Sequence, residues 1–212
     1  MIDHRVYLVT DDPSRYRRDW LEAVEAAVDG GVTCIQYRDT ESAAQARYGR
    51  IRRLQDMLRG RVPLIVNNDA ELAAAVGADG VHVGQGDLPP TQVRRIVGAG
   101  CEIGLSITDA SQVAALRALP AGTVDVIGIG PVYDARATKT DAANAMGLVG
   151  LHGIVVATEG FPNVAIGGIT LERAPAVIAA GAQGLAVVSA LSQAPDPCAA
   201  AFGFVRLQGS VT

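Results

Sequence analysis

Short β-rich apolar runs alternate with Ala-rich helical stretches along this chain, a pattern that demands parallel strands joined by crossover helices. Eight runs can be read: Arg5–Thr10, Thr33–Arg38, Pro63–Asn67, Gly80–Val83, Glu102–Ser106, Val124–Gly130, Asn163–Ile166 and Gly184–Val188. Each is followed by helix or by loop plus helix. Eight βα units in 212 residues average roughly 26 residues each, which predicts a compact, single-domain (β/α)8 TIM barrel over residues 1–212 with short connections. The heptapeptide GADGVHV at 77–83 is echoed by GAQGLAV at 181–187, and more loosely by GGVTCI at 30–35. In each, glycines end a helix and the chain turns into a strand. The runs VDVIGIG and GLAVVS lack polar alternation, as strands covered on both faces do. An open doubly wound sheet is the alternative that these runs leave standing.

Composition narrows the function classes. The chain carries 22 acidic and 18 basic side chains, a net charge of −4, and no basic block, which argues against a nucleic-acid surface. No apolar run approaches the length of a membrane span, and the N-terminus carries acids early, so neither a signal peptide nor a membrane partner is expected. Cys34, Cys101 and Cys198 are far apart and lack C-x-x-C spacing, which predicts no disulfide framework or zinc site and a cytoplasmic location. The one long irregular stretch, Tyr133–Met146, is a candidate lid.

In such a barrel the chemistry belongs at the C-terminal ends of the strands. Those ends carry Gln36-Tyr37-Arg38, Asn67-Asn68-Asp69, Gln85-Gly86-Asp87, Ser106 and Thr108, Thr138-Lys139, Gly167-Gly168, and Val188-Ser189. Gly167-Gly168, read as the opening of the helix after strand 7, would offer free N–H groups and the positive end of a helix dipole to a phosphate, with Val188-Ser189 beside it. Arg38 and Lys139 suit a more highly charged anion such as a diphosphate. Asp87 with Asn68 or Asp69 could hold a magnesium ion that bridges it. Structural readings compete: Asn67 could cap the third helix and Asp87 the fourth. There is no G-x-S-x-G, no Ser-His-Asp set and no G-x-G-x-x-G after the first strand, and His82 reads as a packed or satisfied residue.

The ordered series YLVTD, CIQYRD, PLIVNND, GADGVHVGQGDLPP, IGLSIT, IGIGPVY, TKTDA, VAIGGIT and GLAVVSAL resembles the motifs of the thiamine-phosphate synthase family over essentially the whole chain. The resemblance implies a transferase that joins a hydroxymethyl-aminopyrimidine diphosphate to a thiazole phosphate and releases diphosphate. Its route would be dissociative: the pyrimidine's amino group helps expel diphosphate, and the thiazole nitrogen captures the carbocation. Mg2+ would be the cofactor, phosphorylated small molecules the partners, and a homodimer the assembly. Carried over by motif, Gln36, Arg38 and Asn67 would bind the pyrimidine diphosphate, Ser106 the pyrimidine, and Lys139 the diphosphate. Thr138, Gly168, Val188 and Ser189 would bind the thiazole phosphate and Asp87 the magnesium. Ser106, Lys139 and Arg38 would be the catalytic residues.

Three departures from the family pattern stand out. Thr40 occupies the lysine position of Q-x-R-x-K in the substrate site, Asn68 replaces the first metal carboxylate with Asp69 one place late, and the lid YDARATK is a residue longer and lacks its prolines and first threonine. Two rival functions follow. A thiazole tautomerase would place a histidine two residues after Ser106, where this chain has Thr108. A catalytically weakened barrel that binds a phosphorylated ligand would explain Thr40 and Asn68, but not the retention of Arg38, Asp87, Ser106 and Lys139.

Overall fold

The computed structural model of the chain describes residues 1–135 and 143–209. Eight strands, β1 (Val6–Val9), β2 (Cys34–Tyr37), β3 (Leu64–Asn67), β4 (Gly80–Val83), β5 (Glu102–Ile107), β6 (Val126–Ile129), β7 (Asn163–Ile166) and β8 (Gly184–Val187), pair in parallel in sequence order. β8 returns to β1, so Tyr7 stands in register with Cys34 on one side and Ala186 on the other. The fold is therefore the closed (β/α)8 barrel and not the open sheet, and closure leaves no unpaired strand edge. Most strands stop a residue or two inside the apolar runs, while β5 continues to Ile107. Apolarity records burial, whereas a strand ends where its ladder ends.

Burial alternates even where composition does not. Leu8, Ile35, Tyr37, Val81, Ile103, Ile127 and Leu185 pack outward beneath the helices. Tyr7, Val9, Cys34, Ile65, Val126, Val164 and Ala186 form a separate cluster inside the barrel. Helix α1 (Trp20–Asp29) starts at Asp19, whose carboxylate accepts from the N–H groups of Leu21 and Glu22. It buries Trp20, Ala23, Val24 and Ala27, one face at helical spacing. Helix α2 (Ala44–Leu58) drives Ile51, Leu54 and Leu58 into the same shell, and truncating any of them would cost about 2–5 kcal/mol. Helices α3 (Ala70–Val76), α4 (Pro90–Val97), α5 (Val113–Arg117), α6 (Gly147–Ala157), α7 (Ala174–Ala179), α8 (Ser189–Ser192) and α9 (Pro197–Gly209) follow, and α9 packs on α1. Among the described residues no helix is long and apolar enough to cross a membrane.

The segment before β1 plugs the N-terminal end of the barrel. His4 Nε2 lies 2.5 Å from Glu102 Oε1, the Ile2 N–H donates to Glu102 Oε2 at 3.0 Å, and Cys34 Sγ lies 3.5 Å from His4 Nδ1. Burial works against the Glu102 carboxylate, but the His4 ring and the Ile2 N–H outweigh it and hold the group below its ordinary pKa. Burial pushes the Cys34 thiol well up.

Candidate active site

At the other end, the strand termini and the loops after them enclose a cavity of about 270 Å³. Tyr7, Val126, Val164 and Ala186 line it from inside the barrel. Gln36, Arg38, Asn67, Ser106, Gly168, Val188 and Ser189 line it as well. Thr40, Asn68 and Asp87 do not, and Thr138 and Lys139 lie outside the described residues.

Gln36 is buried, and its Nε2 donates to the Tyr7 hydroxyl at 2.8 Å. Burial pushes the Tyr7 phenol well above its usual pKa, so it stays neutral. Arg38 is held by its backbone: its N–H donates to Thr10 Oγ1 at 2.9 Å, and that hydroxyl donates to the Arg38 carbonyl at 3.3 Å. Thr40 is exposed on a turn tied down by Asp39, which accepts from Tyr37 Oη at 2.9 Å, Arg50 Nη1 at 2.6 Å and the Ser42 N–H at 3.0 Å. Burial opposes the Asp39 carboxylate, but the bonds from Ser42, the Tyr37 hydroxyl and the Glu41 N–H outweigh it and bring its pKa down to about 2.

Asn68 has φ +63°, the left-handed region that Asn tolerates better than most residues, and donates its N–H to the His82 carbonyl at 2.8 Å. Asp69 is committed elsewhere. It caps α3 by accepting from the Leu72 N–H at 2.9 Å and pairs with Arg47 Nη1 at 3.1 Å. The helix cap thus falls on Asp69 and not Asn67, and the carboxylate that arrives one place late serves the fold. Nor does Asp87 cap α4, whose N-cap is Pro89. Asp87 Oδ2 instead accepts from the Gly84 N–H at 2.7 Å.

The two glycines after β7 also depart from expectation. Gly167 (φ +107°) and Gly168 (φ +62°) cannot enter a helix, and α7 begins only at Ala174. What they offer an anion is a turn rather than a helix dipole: the N–H groups of Gly168 and Ile169 have no acceptor among the described residues. A Cβ on Gly168 would sit 2.9 Å from the Asp134 carbonyl oxygen, so this turn and the chain at Asp134 fit only without a side chain. Arg173, which sequence reasoning missed, donates through Nη1 to the Gly168 carbonyl at 2.8 Å and lies 4.6 Å over the Tyr133 ring. Across the same corner, α8 starts directly after Val188, whose side chain cannot cap it, and the N–H groups of Ser189 and Ala190 have no acceptor among the described residues. The ends of the 133–146 connection are pinned together, because the Met146 and Gly147 N–H groups donate to the Pro131 and Val132 carbonyls at 2.9 and 3.0 Å; residues 136–142, and with them the expected lid, lie outside the described residues.

His82 and Gln85 also line the cavity, and both touch Ser106: His82 Nε2 lies 3.0 Å from Ser106 Oγ, and Gln85 Nε2 donates to the Ser106 carbonyl at 2.7 Å. The available signal for His82 was its place two residues after Gly80, in register with Asn67 on β3.

The family described as thiamine monophosphate synthase matches residues 6–191. This chain belongs to it. A thiamine-phosphate synthase of Azorhizobium caulinodans is 45% identical over 200 residues, covering 94% of this chain and 92% of that one. One of Albidiferax ferrireducens is 43% identical over 208 residues, covering 98% and 93%. The solved structure of a thiamine phosphate pyrophosphorylase from Pyrococcus furiosus matches at a TM-score of 0.84 and 29% identity, covering 98% of this chain and 96% of that one. As a member of the thiamine monophosphate synthase family the chain is an enzyme, a transferase.

Proposed function

We propose that this enzyme joins hydroxymethyl-aminopyrimidine diphosphate to a thiazole phosphate and releases diphosphate. The observation that supports the reading is that Arg38, the amides of Gln36 and Asn67, the Ser106 hydroxyl and the Gly168, Val188 and Ser189 turns all line one cavity. Arg38, whose guanidinium has no partner among the described residues, faces the diphosphate, and Lys139 is assigned to the same group by motif alone. The turn at Gly168, the start of α8 at Ser189, Val188 and Thr138 take the thiazole phosphate. Gln36, Asn67 and Ser106 hold the aminopyrimidine between them.

In the reaction the C–O bond to diphosphate breaks with its electron pair going to the leaving oxygen, and the thiazole nitrogen lone pair forms the new C–N bond. Arg38 stabilises the charge that develops on the diphosphate. The cavity walls hold the thiazole against the pyrimidine, so that nitrogen and not water meets the carbocation. Phosphate binding also makes the two anchored substrates effectively one reactant.

The donor set fits a magnesium ion that arrives with the diphosphate: Asp87 keeps Oδ1 without a partner among the described residues, and Asn68 is exposed on the adjoining βα loop. Among the described residues there is no cluster of three or more His, Cys, Asp and Glu that could hold a metal, and magnesium needs only one or two protein carboxylates. When bound, it would neutralise the leaving group. Against the tautomerase reading, Thr108 lines the cavity with its hydroxyl and N–H engaged by Gln112. We also propose a cytoplasmic location, supported by three unpaired cysteines, and the homodimer the family resemblance implies, which sedimentation would test.

Incubation with both substrates and Mg2+ is expected to yield the joined thiamine phosphate and one diphosphate per turnover, with chelation of the metal abolishing both. Tight binding of the phosphates without any joined product would instead establish a binding barrel.

A further inference from the structure

The hydroxyl of Ser106 has a fixed neighbour on the next strand. His82 Nε2 lies 3.0 Å from Ser106 Oγ, and both side chains line the cavity. Space for the imidazole has been cleared at two positions. A Cβ on Gly104 would fall well inside contact distance of His82 Nδ1, and one on Gly128 would stand 2.8 Å from Cε1 and 3.1 Å from Nε2. Gly104 is the register partner of His82 between β4 and β5, and Gly128 that of Ser106 between β5 and β6. Neither glycine has a positive φ, so the backbone does not require them. Glycine inside a strand loosens it and marks a close approach by another group. Here that group is the ring, and β5 and β6 each go without a side chain at one position so that an imidazole can sit at bonding distance from one serine.

We propose that His82 is a positioning residue, fixing the Ser106 hydroxyl and through it the orientation of the aminopyrimidine ring. The proposal rests on the reading of the cavity given above. A serine hydroxyl without a partner samples several staggered positions. Bonded to Nε2 it commits either its proton or one lone pair to the histidine and presents the other to the substrate. The gain is therefore expected at the pyrimidine and not at the thiazole.

His82→Phe keeps a ring in the cleared space and removes Nε2, while His82→Gln restores a polar atom at similar reach. His82→Phe is expected to lower kcat/KM for the pyrimidine diphosphate about tenfold and leave the KM for the thiazole phosphate within about twofold, with His82→Gln recovering most of the loss. In a Ser106→Ala background His82→Phe should cost nothing further. Equal losses in both backgrounds, or no loss from His82→Phe, overturn the proposal. A readout independent of turnover is the 15N resonance of His82 Nε2, assigned by its disappearance in His82→Phe. Ser106→Ala must move it, and an unmoved resonance overturns the hydrogen bond itself. If the resonance moves but the wild-type enzyme forms no joined product, the reading of the cavity has failed, and with it the claim that this bond orients an aminopyrimidine.

Discussion

At the N-terminal end of the barrel His4, Glu102, Cys34 and the Ile2 N–H satisfy one another within 3.5 Å. At the C-terminal end Arg38 and the N–H groups of Gly168 and Ile169 border a cavity without partners among the described residues. Both ends are polar, and both hang on the same eight short strands. The difference lies in whether each group's partner is supplied by the chain. A group paired within the fold contributes to holding the fold, whereas one left for a ligand contributes only once the ligand arrives. Stability and activity should therefore separate along the barrel axis.

The largest effect is expected from Glu102→Ala. It strands the His4 ring and the Ile2 N–H in a plug where the His4 and Glu102 side chains are only 9% and 11% exposed, at a cost of about 2–4 kcal/mol. Thermal unfolding should shift by roughly 2–4 °C per kcal/mol, with kcat/KM of the folded enzyme at 25 °C unchanged. The pH dependence follows the same pair. Because the folded pKa of Glu102 lies below its ordinary value near 4.5, its contribution is present in full above that value and is lost as pH falls through the folded pKa. Wild type should lose this part of its stability in acid, and Glu102→Gln should show no such component. A loss of activity at neutral pH without a loss of stability would break the comparison.

Arg38→Ala should behave in the opposite way. Losing a charge-assisted contact to the diphosphate is expected to cost about 1.5–3 kcal/mol, a ten- to hundredfold drop in kcat/KM for the pyrimidine substrate. Unfolding free energy should stay within about 0.5 kcal/mol, measurable by denaturant titration. The smallest effect sharpens the rim itself. Asn68→Asp together with Thr40→Lys adds one charge of each sign at the mouth, and Asp tolerates the left-handed φ nearly as well as Asn. The double variant should lower the Mg2+ concentration for half-maximal rate by roughly fivefold, about 1 kcal/mol. An unchanged magnesium requirement would detach Asn68 from the metal.

The repeat was legible because eight apolar runs have few ways to be covered, and the rim was legible because polar residues follow each run in the same direction. What was not legible depended on partners distant in sequence. Asn67, Asn68 and Asp69 look interchangeable until Arg47 on α2 claims the Asp69 carboxylate. Gly167-Gly168-Ile169-Thr170 reads as the mouth of a helix until both glycines turn out to have positive φ, which delays α7 to Ala174. His82 looked like a packed residue because nothing local reveals that Gly104 and Gly128, each on another strand, leave it room beside Ser106.

The pinned feet of the 133–146 connection bear on how such an enzyme can change. Met146 and Gly147 return to the carbonyls of Pro131 and Val132, so the connection leaves and rejoins the barrel at a single point, and its length is uncoupled from the register of β6 and β7. Doubling the length of a loop closed in this way costs only about 0.6 kcal/mol of closure entropy. Adding a residue or two to such a connection is thus an inexpensive variation. Segments of quite different length and composition could be exchanged on the same two feet, altering what the cavity admits while the barrel beneath keeps its shape.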